Sequence, residues 1–283
     1  MSRRRRSRWF CCVMQVSRSG YYHWKKRGTS AREKERSQLI PRVRSIHQDS
    51  KATYGSRRMA QELNALGFHC GKHKAGTLMK LAGVAAKQRK KFKATTDSKH
   101  TFPAAPNLLN HRFSVTTQNC VWVGDITYIW PSEGWLYLAV VIDLHSRRIV
   151  GWSMNKCITR RLVMDAFTMA IWRRKPSSGL VFHSDRGSQY YSHDFQKLLK
   201  KHGILTSMSR KGNCWDNAVE ESFFGSLLKV EQVFGVRYPS RSSARQDIIE
   251  YIEMFYNSKR RHSSLGYMNP MEFEKQQLWK KAA

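Results

Sequence analysis

Three segments in the middle of the chain constrain its fold more than any other feature. VWVGDITYIW (121 to 130), WLYLAVVIDLH (135 to 145) and RRIVGWSM (147 to 154) are dense in β-branched and aromatic residues, with turn signals at Pro131 to Gly134 and at Ser146 to Arg147. Such residues favour strands, and connections this short join antiparallel neighbours, so the three form a meander. Beyond them the pattern alternates. Residues 160 to 174 carry helical spacing, LVFHSD (180 to 185) is a short buried strand, 193 to 202 a helix, ILTSMS (204 to 209) a strand and 217 to 231 a helix.

The order βββαβαβα is that of the RNase H fold, a mixed five-stranded sheet with flanking helices. The first strand of such a sheet lies beside the fourth, so acids distant in sequence meet at its centre. Asp125 stands inside an otherwise apolar strand, where an uncompensated carboxylate is costly to bury and needs a cation or donors. Asp185 ends LVFHSD and is followed by Arg186 and Gly187; Glu221 lies on the helix after the turn SRKGN, with Asn217 four residues earlier on the same face. Three convergent acids suit two Mg²⁺ ions, because hard oxygen ligands match that metal and crowded carboxylates repel without it. Two ions ~3.5–4 Å apart serve an in-line displacement at phosphorus. Composition alone does not select these three among 20 acids, and an isolated strand Asp is commonly structural.

Charge points to the partner. The chain of 283 residues carries 51 Lys and Arg against 20 Asp and Glu, a net charge of +31, and residues 1 to 106 hold 26 of the basic and 5 of the acidic groups. So lopsided a balance calls for a polyanion. A ribosomal-type protein or a targeting tail is the alternative, but nine tryptophans and a long hydrophobic C-terminal half argue for folded domains that bind nucleic acid. The six cysteines form no Cys-x-x-Cys pair, so neither a zinc ribbon nor a disulfide scaffold is expected, and reduced thiols fit a cytoplasmic protein. The arginine-rich start lacks a cleavage site, and no stretch reaches the ~20 apolar residues of a membrane span.

In the N-terminal third, Leu39, Ile40, Val43 and Ile46 recur at helical spacing, then Met59, Leu63 and Leu66 up to Gly67, and residues 74 to 81 up to Gly83. Three short helices with Arg57, Arg58, Lys72, Lys74 and Lys80 outward predict a small all-α, helix-turn-helix-like DNA-binding domain; a solvated basic hairpin is the alternative. KQRKKFKATTDSK (87 to 99) reads as a basic linker able to lie along phosphates. The expected organisation is a basic segment at 1–38, the helical domain at 39–86, the linker at 87–110, the catalytic core with a basic extension at 111–275 and a tail at 276–283.

Residues 107 to 275 closely resemble the integrase core of the OrfB-type insertion-sequence transposases, in PNLLNHRF, VWVGDITYI, GWLYLAVVIDLHSRRIVGW, HSDRGSQY, SMSRKGNCWDNAVEESFFGSLLK and YNSKRRHSSLGYMNP. VSRSGYYHW and YGSRRMAQELNALGFHCGKHKAGTLMKLAGV resemble the family's helical DNA-binding module. The resemblance implies catalytic, metal-binding acids at Asp125, Asp185 and Glu221, the last two separated by 35 residues, which selects Glu221 over Glu220. It further implies a transposase that cuts element ends and transfers strands using Mg²⁺, or Mn²⁺ in its place, with two ions per site. Its partners would be double-stranded DNA, other copies of the chain in a homo-oligomer on DNA, and the upstream-frame OrfA product as a fusion; the setting would be a bacterial cytoplasm, at the nucleoid. Retroviral integrases carry a His/His/Cys/Cys zinc module, whereas HCGKH around Cys70 lacks the second cysteine pair, so no structural zinc is expected.

Arg210, Lys211 and Asn213, in the turn before Glu221, are candidates for gripping DNA, or form a solvated loop. Arg260, Arg261 and His262, flanked by Tyr256 and Tyr267, fit phosphate contact plus stacking. Asp143 is expected to pair with Arg147 or Arg148, and His183 either orients a water or touches a phosphate, or is a hydrogen-bonded structural residue. Rival functions are a non-catalytic DNA-binding regulator, a nuclease on the same fold, and a tyrosine or serine recombinase, of which only the last forms a covalent protein–DNA intermediate.

Overall fold

The structure, a computed structural model, describes residues 9–87, 106–109, 115–209, 231–233 and 236–282. It divides into two compact units, one containing Tyr54–Ala85 and the chain before Ser50, the other containing Ser50–Thr53 and the chain from Ala86 onward.

The first unit is helical. After α1 (Arg18–Lys26) come α2 (Ala31–Asp49), α3 (Ser56–Ala65) and α4 (Lys72–Leu81). Helix α2 begins eight residues before the Leu39 expected from apolar spacing. Its start is set by capping: Ser30 Oγ accepts from the Glu33 amide while the Glu33 carboxylate accepts from the Ser30 amide. The ends of α3 and α4 are fixed by Gly67 and Gly83, both at positive φ. Phe68 and Val84, one residue further on, donate to the carbonyls of Leu63 and Met79, so orphan carbonyls are satisfied and an apolar side chain returns to the core. Leu39, Val43, Met59, Leu63, Ala75 and Leu78 fill that core, while Leu66, expected on the apolar stripe, is exposed at the C-cap.

The second unit is built on one sheet of β1 (Val121–Ile129), β2 (Leu136–Asp143), β3 (Ile149–Asn155), β4 (Val181–Ser184) and β5 (Leu205–Met208), in the order β3-β2-β1-β4-β5. The β1–β2 and β2–β3 pairings are antiparallel, and β1–β4 and β4–β5 parallel. The expected meander and the neighbouring first and fourth strands are both present. Helices α5 (Arg160–Arg174) and α6 (His193–Lys201) cover one face, packing Phe167 and Phe195 on Trp122 and Phe182. The other face, with Val123, Leu138 and Val140, meets α7 (Arg241–Glu250) and the π-helical turn Tyr251–Tyr256. Being covered on both sides explains why β2 reads as a continuous apolar run rather than an alternation. Helix α8 (Pro270–Ala282) follows, and among the described residues no helix is long and apolar enough to cross a membrane.

Strand β3 meets α5 at Gly151, where a Cβ would lie 2.1 Å from the Ala166 carbonyl oxygen and 2.8 Å from the Ala170 amide nitrogen. The obstacle is backbone, so strand and helix must separate to admit a methyl group. Gly151→Ala is expected to lower stability by about 1–3 kcal/mol, read as a lower urea midpoint at unchanged slope. An unchanged midpoint would mean that the two elements are not held this close.

Candidate active site and nucleic-acid interface

Two of the three expected acids are brought together by strand register. Gly124 of β1 faces Ser184 of β4 in the parallel ladder, so Asp125 and Asp185 each occupy the next position on adjacent strands, which lie ~4.8 Å apart. Side-chain alternation puts both on the face of Val123 and His183. Glycine is needed before Asp125 because a Cβ at position 124 would lie 2.4 Å from the Phe182 ring, which crosses from β4. Asp125 is half-buried opposite Val140 of β2, and its Oδ1 accepts from the Ile126 amide at 2.7 Å.

Asp185 leaves the end of β4, and its Oδ1 accepts from the Gly187 amide at 2.9 Å. Burial pushes its carboxyl above the ordinary carboxylate range, and the Gly187 amide only partly offsets that. Arg186 donates from Nε to the Ser209 carbonyl at 2.8 Å. Two neighbouring half-buried carboxylates, one of which resists ionising, match the donor chemistry of a hard divalent cation. Glu221 lies outside the described residues, as do Arg210, Lys211 and Asn213.

His183 is fully buried, with Nδ1 2.9 Å from the Ser207 hydroxyl, which also accepts from the Leu108 amide. It is therefore the structural residue of the two alternatives. Asp143 is likewise buried, and its carboxylate accepts from the amides of Asn119, His145 and Ser146, bracing the β2–β3 turn. The expected pairing with Arg147 or Arg148 is absent among the described contacts: the nearest guanidinium is that of Arg174, at 4.0 Å, and Arg148 pairs instead with Glu274. Burial would raise the Glu274 carboxyl, but Arg174 and Arg148 hold it below its usual value.

The basic residues divide by environment. Arg57, Lys72 and Lys80 are exposed on α3 and α4. Arg58 places its guanidinium 5.7 Å from the Tyr54 ring, and Lys74 pairs with Glu35 at 2.6 Å while donating to the His69 carbonyl. Arg260 corrects the expectation of a phosphate contact: it is 1% exposed, and its Nε and Nη2 grip both oxygens of Glu231 at 2.7 and 2.6 Å. Tyr251 donates to the same carboxylate at 3.0 Å. Burial alone would lower the basicity of Arg260, but Glu231 raises it above the ordinary value. His262 is buried edge-on against Tyr256, and the Tyr256 hydroxyl donates to the Arg147 carbonyl, so neither is available for stacking on a base. Arg261 is half-buried and donates to the Tyr267 carbonyl. Glu231 was not anticipated as a partner: it lies 29 residues from Arg260, and nothing in the local sequence links the two.

Residues 34–92 match an HTH-like domain, and residues 116–214 and 221–278 match integrase core domains. The chain is 44% identical over 263 residues to the insertion element IS600 uncharacterized 31 kDa protein of Shigella sonnei, covering 93% of this chain and 96% of that one. It is 43% identical over 270 residues to transposase InsF for insertion sequence IS3A of Escherichia coli (strain K12), covering 95% and 93%. Among solved structures it is similar to the HTLV-2 integrase catalytic core domain in complex with magnesium, at 18% identity and TM-score 0.42 over 56% of this chain and 97% of that one. The length and identity of the match to the insertion-sequence proteins, on top of the integrase-type sheet and the helical module, show that the chain belongs to the OrfB-type insertion-sequence transposases, polynucleotidyl transferases with an integrase-like core.

Proposed function

We propose that the chain cuts the ends of its insertion sequence and joins them to target DNA at one metal-dependent site made by Asp125, Asp185 and Glu221. The observation that carries this reading is the β1–β4 register, which puts Asp125 and Asp185 side by side. When bound, two Mg²⁺ ions, or Mn²⁺ in their place, stabilise the attacking and leaving oxygens of the displacement. The chain's own part is to supply carboxylate oxygens from rigid strands, with the Gly187 amide orienting Asp185, and to position the phosphodiester. In the first step a water oxygen bonds to phosphorus and the bond to the 3′ oxygen breaks, leaving a 3′ hydroxyl. In the second that hydroxyl attacks a phosphodiester of the target, and the displaced target oxygen takes up the proton. No protein nucleophile takes part.

Arg57, Arg58, Lys72, Lys74 and Lys80 would hold duplex DNA, and Arg210, Lys211, Asn213 and Arg261 would contribute near the cut. A homo-oligomer on DNA, with the chain fused to an upstream-frame OrfA product, would bring two ends together in a bacterial cytoplasm. The test is to incubate the protein with labelled ends of its own element. Mg²⁺ should give cut and joined products, Ca²⁺ should allow binding alone, and EDTA should stop both steps. A protease-sensitive protein–DNA adduct would favour a recombinase, cutting without joining a nuclease, and binding without cutting a regulator.

A further inference from the structure

We propose that the tip of the β1–β2 turn, Trp130 with Tyr128 and Trp135, is a stacking platform for an unpaired DNA base that leaves the cut site around the edge of β1. The three rings form one cluster. Trp135 meets Trp130 at 4.2 Å and 75° and Tyr128 at 5.0 Å and 87°, so each contact is edge-to-face. Cross-strand aromatic pairing of this kind steadies a hairpin and accounts for Trp135 between its two neighbours. It does not account for how much of the cluster stands in water: Trp130 is 61% exposed with Trp135 against it, and Tyr128 and Trp135 are 44% and 42% exposed. Such a tip holds broad π-surface in water, and a nucleobase offers the matching flat face.

Charge and position favour DNA over a protein partner. Arg241 donates from Nε to the Trp135 carbonyl at 3.0 Å, its Nη2 lies 3.0 Å from where a Cβ on Gly134 would be, and its amide donates to the Glu133 carboxylate at 2.9 Å, so a guanidinium is held against the Trp135 side of the turn with one carboxylate on the other. The chain as a whole carries +31. Tyr128 and Trp130 follow Asp125 by three and five residues, about 10 and 17 Å along an extended strand at ~3.3 Å per residue. An unpaired strand spans more per nucleotide than the ~3.4 Å rise of a duplex, so a few nucleotides cover that distance and the path around the sheet edge. Alternation puts Tyr128 on the face opposite Asp125, and the β1–β4 ladder ends at Gly124 and Ser184, so that side of β1 is no longer paired to β4 where the rings begin. A single strand leaving the acids can round this edge and reach the rings. A base within a duplex has both faces covered by its neighbours, so the ligand is an unpaired one.

The assignment of the cut site to Asp125 rests on the proposed function; the binding experiment does not need cleavage. Blunt duplex and duplex carrying a five-nucleotide unpaired overhang are titrated in Ca²⁺, with 2-aminopurine placed at each overhang position in turn. The full-length protein should bind the overhang duplex more tightly and quench 2-aminopurine at one or two positions. Trp130→Ala should weaken overhang binding by about tenfold and remove the quenching, with blunt affinity unchanged. Trp130→Phe should retain both, and Trp130→Leu, which keeps apolar bulk, should lose both; thermal melting of all three confirms folding. Equal losses on blunt and overhang duplexes, or undiminished quenching in the leucine variant, would overturn the proposal. So would a change in sedimenting mass with quenching intact, which would make the tip a contact between copies of the chain. A wild-type protein that shows the overhang effect but fails to cut in Mg²⁺ would refute the proposed function and leave the platform standing.

Discussion

Asp185→Asn is expected to abolish cutting and joining together, by about 10³-fold or more, because loss of one anionic ligand forfeits several kcal/mol of charge stabilisation in the transition state. DNA affinity should hardly change, since this carboxylate adds negative charge near a polyanion. Asp125→Asn should behave alike. The proposed third ligand is tested by a neighbouring pair: Glu221→Gln should match Asp185→Asn, whereas Glu220→Gln should keep substantial activity, because adjacent positions of the helix expected from the sequence point ~100° apart. Single-turnover assays of each step on a nicked and an uncut substrate separate the outcomes. Loss of joining alone in Asp185→Asn would mean that the two steps do not share one set of ligands. Inactivity of Glu220→Gln with activity in Glu221→Gln would shift the site by one residue.

Arg260→Ala is expected to destabilise the second unit by about 3–5 kcal/mol, since it strands the buried Glu231 carboxylate without its cation. At roughly 2–4 °C per kcal/mol for a unit of this size, melting should fall by roughly 6–20 °C. Removing both partners, as Arg260→Met with Glu231→Leu, should recover much of that loss, because replacing a buried pair by apolar groups is far less costly than breaking it. Thermal melts of the two single variants and the double variant complete the cycle. A normal melting temperature with weakened DNA binding in Arg260→Ala would return this residue to the phosphate-contact role that its motif suggested.

Strands β1 to β3 were legible because β-branched and aromatic runs separated by turn residues leave few alternatives, and helix α5 coincides with the expected 160 to 174 because its helical spacing is uninterrupted. The C-caps at Gly67 and Gly83 were legible because a positive φ almost demands glycine there. Asp125 and Asp185 could be picked out only through family resemblance, since nothing local distinguishes a strand Asp proposed to bind a cation from Asp143, which is satisfied by three backbone amides. Arg260 read as a surface charge because the group it binds is 29 residues away. The start of α2 was placed late for the opposite reason: its first two turns are polar, and the Ser30 and Glu33 cap carries a weaker signal than an apolar stripe.

The β1–β4 pairing also bears on how the protein comes into being. Its partners Gly124 and Ser184 are sixty positions apart, and a parallel ladder cannot close until the crossover between them has been made. Contacts of such long sequence separation form late, because chain entropy is lost before they repay it. During synthesis the helical unit, whose contacts span short distances, can fold while the sheet is still an unpaired meander. On the proposed assignment of DNA holding to the helical unit and of cutting to Asp125, Asp185 and Glu221, a chain interrupted before β4 would hold DNA and be unable to break it.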